Sequence, residues 1–198
     1  MQYNESLPMT TKERLKNSLM GVLDRYPADS ITVKLFCLES GLSKQTLYNH
    51  YYSLMDAFED AYRCDLEQGL KGCDTYENWV QGFRQLLHVL KRHERAYIHI
   101  FHSSRKEDFL DIIAKYGEKL VLRGIEECSE DMGLPVSPRD REFMLLFYMS
   151  AFMGILEHYL EGGMSESTDY IAGRCDALMR HHIRGTLRNI KAIEEGEF

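Results

Sequence analysis

Residues 31–51, ITVKLFCLESGLSKQTLYNHY, leave this chain few ways to fold. Thr32 stands where a helix N-cap belongs, its hydroxyl placed to accept from the free N–H groups of the first turn. Val33, Phe36 and Cys37 then fall on one helical face. Gly41 follows that helix at a point where a left-handed backbone is cheap only for glycine. Ser43 is placed to cap a second helix over residues 44–50, with Leu47 as its inward residue. The remainder of that helix displays Lys44, Gln45, Thr46, Tyr48 and Asn49, donors and acceptors suited to base edges and phosphates. Two short helices about a glycine turn, the second polar on its outer face, predict a helix-turn-helix whose second helix enters a major groove.

The rest of the chain has helical period almost throughout. A first helix is expected over residues 11–25, with Leu15, Leu19, Val22 and Leu23 inward and Pro27 ending it. Ser53 is placed to cap a fourth helix over 54–71, striped by Met55, Phe58, Ala61, Tyr62 and Leu66, with Gly72 and Asp74 breaking it. Further helices are expected over 77–93, 95–102, 106–132, 139–161 and 167–194, with a loop from Gly133 through Pro138. No strand pattern of period two persists, and there is no internal repeat or low-complexity tract. The expectation is an all-α chain of about nine helices: a three-helix helix-turn-helix domain over 1–53, then a helical bundle over 54–198 entered through the fourth helix.

Composition narrows the class. At 198 residues, 44% hydrophobic and 28% charged, the chain can bury a substantial core. No uninterrupted apolar run approaches the ~18–20 residues of a membrane span, and the first residues lack the basic-then-apolar order of a signal peptide. No membrane partner is therefore expected. Cysteines 37, 64, 73, 128 and 175 are scattered, odd in number and never CxxC, which fits a reducing cytoplasm better than a disulfide framework or a zinc knuckle. The net charge of −7 argues against indiscriminate polyanion binding. Residues 10–53 nonetheless hold six cations (Lys12, Arg14, Lys16, Arg25, Lys34, Lys44) against four carboxylates (Glu13, Asp24, Asp29, Glu39). That is +2 on the reading module and −9 on everything else.

GLSKQTLYNHYYS resembles the recognition-helix signature of TetR/AcrR-type transcriptional regulators, G-V-S-x-x-T-[LF]-Y-x-[HY]-F, and YPADSITV resembles their link between the first two helices. The likeness covers roughly residues 10–65 and is specific, because turn glycine, cap serine, core leucine and tyrosine keep their spacing. It implies that Thr32 touches a phosphate, that Lys34 reaches a base edge or phosphate, and that Ser43, Lys44, Gln45 and Thr46 form the most deeply inserted end of the recognition helix. Lys favours guanine O6/N7 and Gln favours adenine N6/N7. Tyr48 corresponds to the tyrosine that steadies the DNA backbone, flanked by Asn49 and His50. The family pattern is broken at three places: Leu54 replaces a phosphate-clasping lysine, Leu35 and Leu38 stand where helix 2 is usually charged, and Cys37 replaces a small alanine.

Residues 143–160 are apolar round much of their circumference, more than one amphipathic face needs. Such a helix is either central to the core or shared with a second subunit. FYMSAFMGILEHYLEGGMSES also resembles the paired C-terminal helices through which these regulators form homodimers, closest to the type found in regulators of dihydroxyacetone kinase. The resemblance implies a dimer seam near Phe147, Phe152, Ile155, Tyr159, Leu178 and His182, and an effector pocket among Tyr62, Trp79, Phe83, Tyr97, Phe101, Phe109 and Tyr116, although each of these aromatics is more simply read as plain core. It implies a double-stranded DNA operator and a small-molecule effector as partners, with repression as the default outcome.

Other chemistries find little support. His88, His93, His99 and His102 share no i,i+4 pair and no completing carboxylate or cysteine, so no metal is expected. There is no G-x-S-x-G, Walker loop, Rossmann glycine set or H-E-x-x-H, so no enzyme and no cofactor is expected. The competing reading is a protein of the same fold that has lost operator binding and acts through a protein partner, motivated by Leu35, Leu38 and Leu54 near the reading face.

Overall fold

The computed structural model describes residues 10–71, 79–179 and 181–196. Every regular element among them is helical: α1 Thr11–Leu23, a 3₁₀ turn Ala28–Ser30, α2 Val33–Ser40, α3 Lys44–Tyr48, α4 Leu54–Gly69, α5 Trp79–Arg92, α6 Glu94–Phe101, α7 Lys106–Met132, α8 Pro138–Glu161, α9 Thr168–Met179 and α10 His182–Glu194. The all-α class is therefore the one observed. The chain forms two compact units, one from residues 1–65 with His93–Lys106, the other from Leu66–Arg92 with residues 107–198.

The first unit is built on local stops and starts. Thr10 and Glu13 form a capping box at α1: the Glu13 N–H donates to the Thr10 hydroxyl at 3.2 Å, and the Thr10 N–H to the Glu13 carboxylate at 2.7 Å. Leu15, Leu19, Val22 and Leu23 then bury completely, with Phe36 of α2 and Leu47 of α3. α6 joins this unit through carboxylates near the end of α1. Asp24 accepts from the Ala96 N–H at 3.1 Å and lies 3.4 Å from His93 Nδ1, while His99 Nδ1 lies 2.6 Å from the Leu23 carbonyl. Asp29 accepts from the Ser104 N–H at 3.0 Å and from its hydroxyl at 2.7 Å.

In the second unit α5 buries Phe83, Leu86, Leu87, Val89 and Leu90 and packs against α9, with Arg84 Nε 3.0 Å from the Asp169 carboxylate. Gly69 lets α4 approach α5 closely, since a Cβ there would stand 1.9 Å from Val89 Cγ2. α8 starts at Pro138 behind a Ser137 cap whose hydroxyl accepts from the Asp140 N–H at 3.1 Å. Its inward side chains Met144 and Tyr148 pack with Ile125 and Cys128 of α7 and Ile183 and Leu187 of α10.

Two boundaries depart most from the sequence expectation. α3 ends at Tyr48 rather than 50. The expected final helix over 167–194 is interrupted, with His181 at φ 63° before α10 begins; neither Gly nor Pro marks that break. The breakers Gly72 and Asp74 lie outside the described residues.

Candidate nucleic-acid interface

The geometry of α2 and α3 follows from three short-range hydrogen bonds. The Thr32 hydroxyl accepts from the Leu35 N–H at 3.1 Å and starts α2. Gly41, at φ 67°, ends it with its N–H on the Cys37 carbonyl at 3.1 Å. The Ser43 hydroxyl accepts from the Thr46 N–H at 3.0 Å and lies 2.8 Å from the Thr46 hydroxyl. Leu47, fully buried, anchors α3.

That one anchor turns the polar side outward. Thr32, Lys34, Ser43, Lys44, Gln45, Tyr48, Asn49 and His50 are all exposed, and Thr46 is half-buried because its hydroxyl turns back to the cap. The Lys44 ammonium sits 5.6 Å from the centre of the Tyr48 ring, so the two side chains share one patch. Of the departures from the family pattern, Leu54 is buried at 5% exposure, Leu35 is half-buried and Leu38 is 76% exposed.

The supporting contacts were not visible in the sequence. Tyr51, whose N–H donates to the Leu47 carbonyl, sends its hydroxyl to Asp60 of α4 at 2.7 Å. Burial, then that hydrogen bond, pushes the Tyr51 hydroxyl far above its ordinary value. Lys12 and Lys16 lie 3.1 and 3.3 Å from the same Asp60 oxygen. Burial pulls the Asp60 carboxyl upward, but Tyr51 and the two ammonium groups outweigh it and hold the carboxyl below its usual range. At the other end of the motif, Glu39 of α2 takes Arg25 as an ion pair and accepts from the Tyr26 hydroxyl at 3.0 Å. That hydrogen bond, followed by burial, raises the Tyr26 hydroxyl.

A model for the C-terminal region of transcriptional regulators, of the TetR type, matches residues 77–181, more than half of the chain. The chain belongs to the TetR-type transcriptional regulators. No curated protein matches its sequence. Among solved structures, the regulator resembles a dihydroxyacetone kinase operon activator, DhaS, with a TM-score of 0.71 over 89% of this chain and 98% of that chain. The two are 15% identical, so what they share is the fold.

The seven aromatic residues expected around an effector fall into two groups. Tyr62, Tyr97 and Phe101 belong to the first unit of the regulator, and Trp79, Phe83, Phe109 and Tyr116 to the second. Tyr62, Phe83, Tyr97, Phe101 and Phe109 are each at most 2% exposed and serve as core. Phe83 packs on Phe152 with ring centres 4.9 Å apart, and the Tyr116 hydroxyl donates to Glu67 at 3.0 Å. The second unit does hold a cleft of about 320 Å³, lined by Gln68, Gly69, Gln85, His88, Val89 and Arg92. None of the seven aromatics lines it. Its amide, imidazole and guanidinium groups stand at the α4–α5 contact, where the sequence shows only ordinary surface residues.

The expected seam residues also divide. Phe147 is 51% exposed, Ile155 37% and Leu178 74%, and His182 is exposed with its ring stacked on Phe147 at 6.0 Å and its Nδ1 2.9 Å from the Tyr148 hydroxyl. Phe152 is half-buried, while Tyr159, at 4% exposure, belongs to the core of its own chain. By length and composition α8 is also the one helix among the described residues able to cross a membrane, and only 28% of its apolar window is buried. Its uninterrupted apolar runs are short, because Ser150 and Gly154 divide the segment and Glu142 and Glu157 bound it. The histidines around α5 and α6 have no shared focus: His93 and His99 meet separate groups at the end of α1, and His88 lies 3.5 Å from the Thr168 hydroxyl.

Proposed function

We propose that the regulator reads double-stranded DNA with α3 as a homodimer on a near-palindromic operator, and that a small-molecule effector alters this reading. The carrying observation is the surface of α3, where Lys44, Gln45, Tyr48, Asn49 and His50 are exposed together about a single buried anchor, Leu47. A helix this short contributes little to the core, and its polar side is suited to base edges and phosphates. Thr32 adds the exposed N-terminus of α2, a place for a phosphate.

The homodimer reading rests on α8. Phe143, Leu146 and Phe147 are between 51% and 69% exposed along one side of it, with Leu178 of α9 also open. An apolar strip of this length marks an interaction surface, and a two-fold copy of the same chain satisfies it with the same residues on both sides. Such a dimer sets its two recognition helices about one DNA turn apart, ~34–36 Å. The cleft at the α4–α5 contact, lined by Gln68, Gln85, His88 and Arg92 beside Gly69 and Val89, is a place for an effector, which lowers DNA affinity only in so far as it binds one state of the dimer better than the other.

Repression follows if the operator overlaps a promoter; the neighbour in fold is named as an activator, so operator position decides the sign. The adaptor reading retains Leu38 as its support, since Leu54 is buried and Leu35 half-buried. Selection of bound sequences from random duplex DNA tests the proposal. Enrichment of a near-palindrome is the expected result; no enrichment at low salt would transfer the function to a protein partner.

A further inference from the structure

Lys16 of α1 and Cys64 of α4, both in the first unit, form a contact that nucleic-acid reading does not explain. Lys16 Nζ stands 2.6 Å from Cys64 Sγ. An N–H···O hydrogen bond spans about 2.7–3.2 Å, and sulfur is the larger acceptor, so this approach is closer than an N–H···S contact requires. It is the separation that one oxygen atom bonded to both would set. Asp60 holds the pair in place, with Oδ2 3.3 Å from Lys16 Nζ and Oδ1 3.9 Å from the Cys64 sulfur. Lys12 and the Tyr51 hydroxyl fix Asp60 in turn. The Lys16 side chain is 19% exposed and Cys64 is half-buried, so a small oxidant can reach the sulfur while the lysine has little freedom to leave. Cationic, partly exposed surroundings are those in which cysteines are oxidised; Cys128 and Cys175 are buried instead.

We propose that Lys16 and Cys64 are a peroxide-responsive modification site, where oxidation joins Nζ to Sγ through one oxygen and fastens α1 to α4. One hydrogen peroxide takes two electrons from the Cys64 thiol, its O–O bond breaks, and sulfenic acid and water result. The Lys16 ammonium gives a proton to solvent, and a second peroxide takes two electrons from the amine, leaving N–OH and a second water. Condensation then forms the S–O bond to that oxygen, breaks the S–OH bond and expels a third water. Thiol, amine and two peroxides thus give the bridge and three waters, with four electrons passing to peroxide. The bridge also removes one of the two cations from Asp60. None of this requires DNA binding, so it stands apart from the function proposed above.

The test is intact-mass and peptide mass spectrometry of the full chain treated with hydrogen peroxide. The expected product is heavier than the reduced protein by one oxygen less two hydrogens, with the peptides carrying Lys16 and Cys64 joined, and it is lost on adding a thiol reductant. It is absent from Cys64→Ser and from Lys16→Arg, which keeps the cation beside Asp60; far-UV circular dichroism checks that both variants remain folded. A link lighter by two hydrogens, a direct N–S bond, would overturn the oxygen bridge. The same mass gain in Lys16→Arg, or Cys64 left unmodified while Cys37 reacts, would overturn the site.

Discussion

Asp60 shows how one side chain steadies the reading head. Three donors converge on its carboxylate, and its folded-state affinity for a proton is lowered as a result. A carboxyl depressed in this way stabilises the fold above the ordinary value of ~3.9 and loses that contribution as pH falls through the lower folded value. Asp60→Asn should therefore cost about 1–3 kcal/mol at neutral pH, the range for hydrogen bonds to a charged group. Urea midpoints should show the gap to wild type narrowing as pH drops below ~4; a gap that stays constant into acid would contradict the account. Ser43→Ala should cost about 1 kcal/mol through loss of the α3 cap, read from the same midpoints. Ser43, Thr32, Gly41 and Leu47 were legible in the sequence because each acts on residues three or four away. Asp24, Asp29 and Asp60 were not, since their partners lie nine to 75 residues distant and leave no local pattern.

Gly69 at the end of α4 stands close against α5, and any Cβ there collides with Val89. Gly69→Ala should destabilise the second unit by about 1–3 kcal/mol, the usual range for overpacking, and Val89→Ala in the same chain should recover part of the loss. Thermal unfolding of the two single variants and the double variant measures that coupling; additive losses would show that the two residues do not meet. On α8 the sequence revealed an excess of apolar positions but not which of them the chain itself buries. The fold separates them: Met144, Tyr148, Leu156, Tyr159 and Leu160 turn inward, while Phe143, Leu146 and Phe147 stay open. Phe147→Glu on the open side should leave the helix content intact and shift the protein to monomer in sedimentation equilibrium. An unchanged mass would move the subunit interface elsewhere. The effector region was the least legible part, because aromatic residues at helical spacing read the same in a core as in a pocket.

At the scale of the whole molecule, a chain of net charge −7 is asked to bind a polyanion. It does so only if contacts are confined to the small, slightly basic head, doubled by two-fold symmetry. Few phosphates are then neutralised, and the salt dependence should be moderate rather than that of a generally basic protein. Base contacts at Gln45 should supply discrimination of about 1–3 kcal/mol for each base pair read, and contribute almost nothing to the salt slope. The measurement that tests this most directly is fluorescence anisotropy on a selected near-palindromic duplex at several salt concentrations, for wild type, Gln45→Ala and Lys44→Ala. The expected result is a steady fall of log affinity with log salt, the same slope for Gln45→Ala with weaker binding and relaxed sequence preference, and weaker binding for Lys44→Ala. Affinity that ignores salt, or that neither substitution changes, would contradict reading by α3.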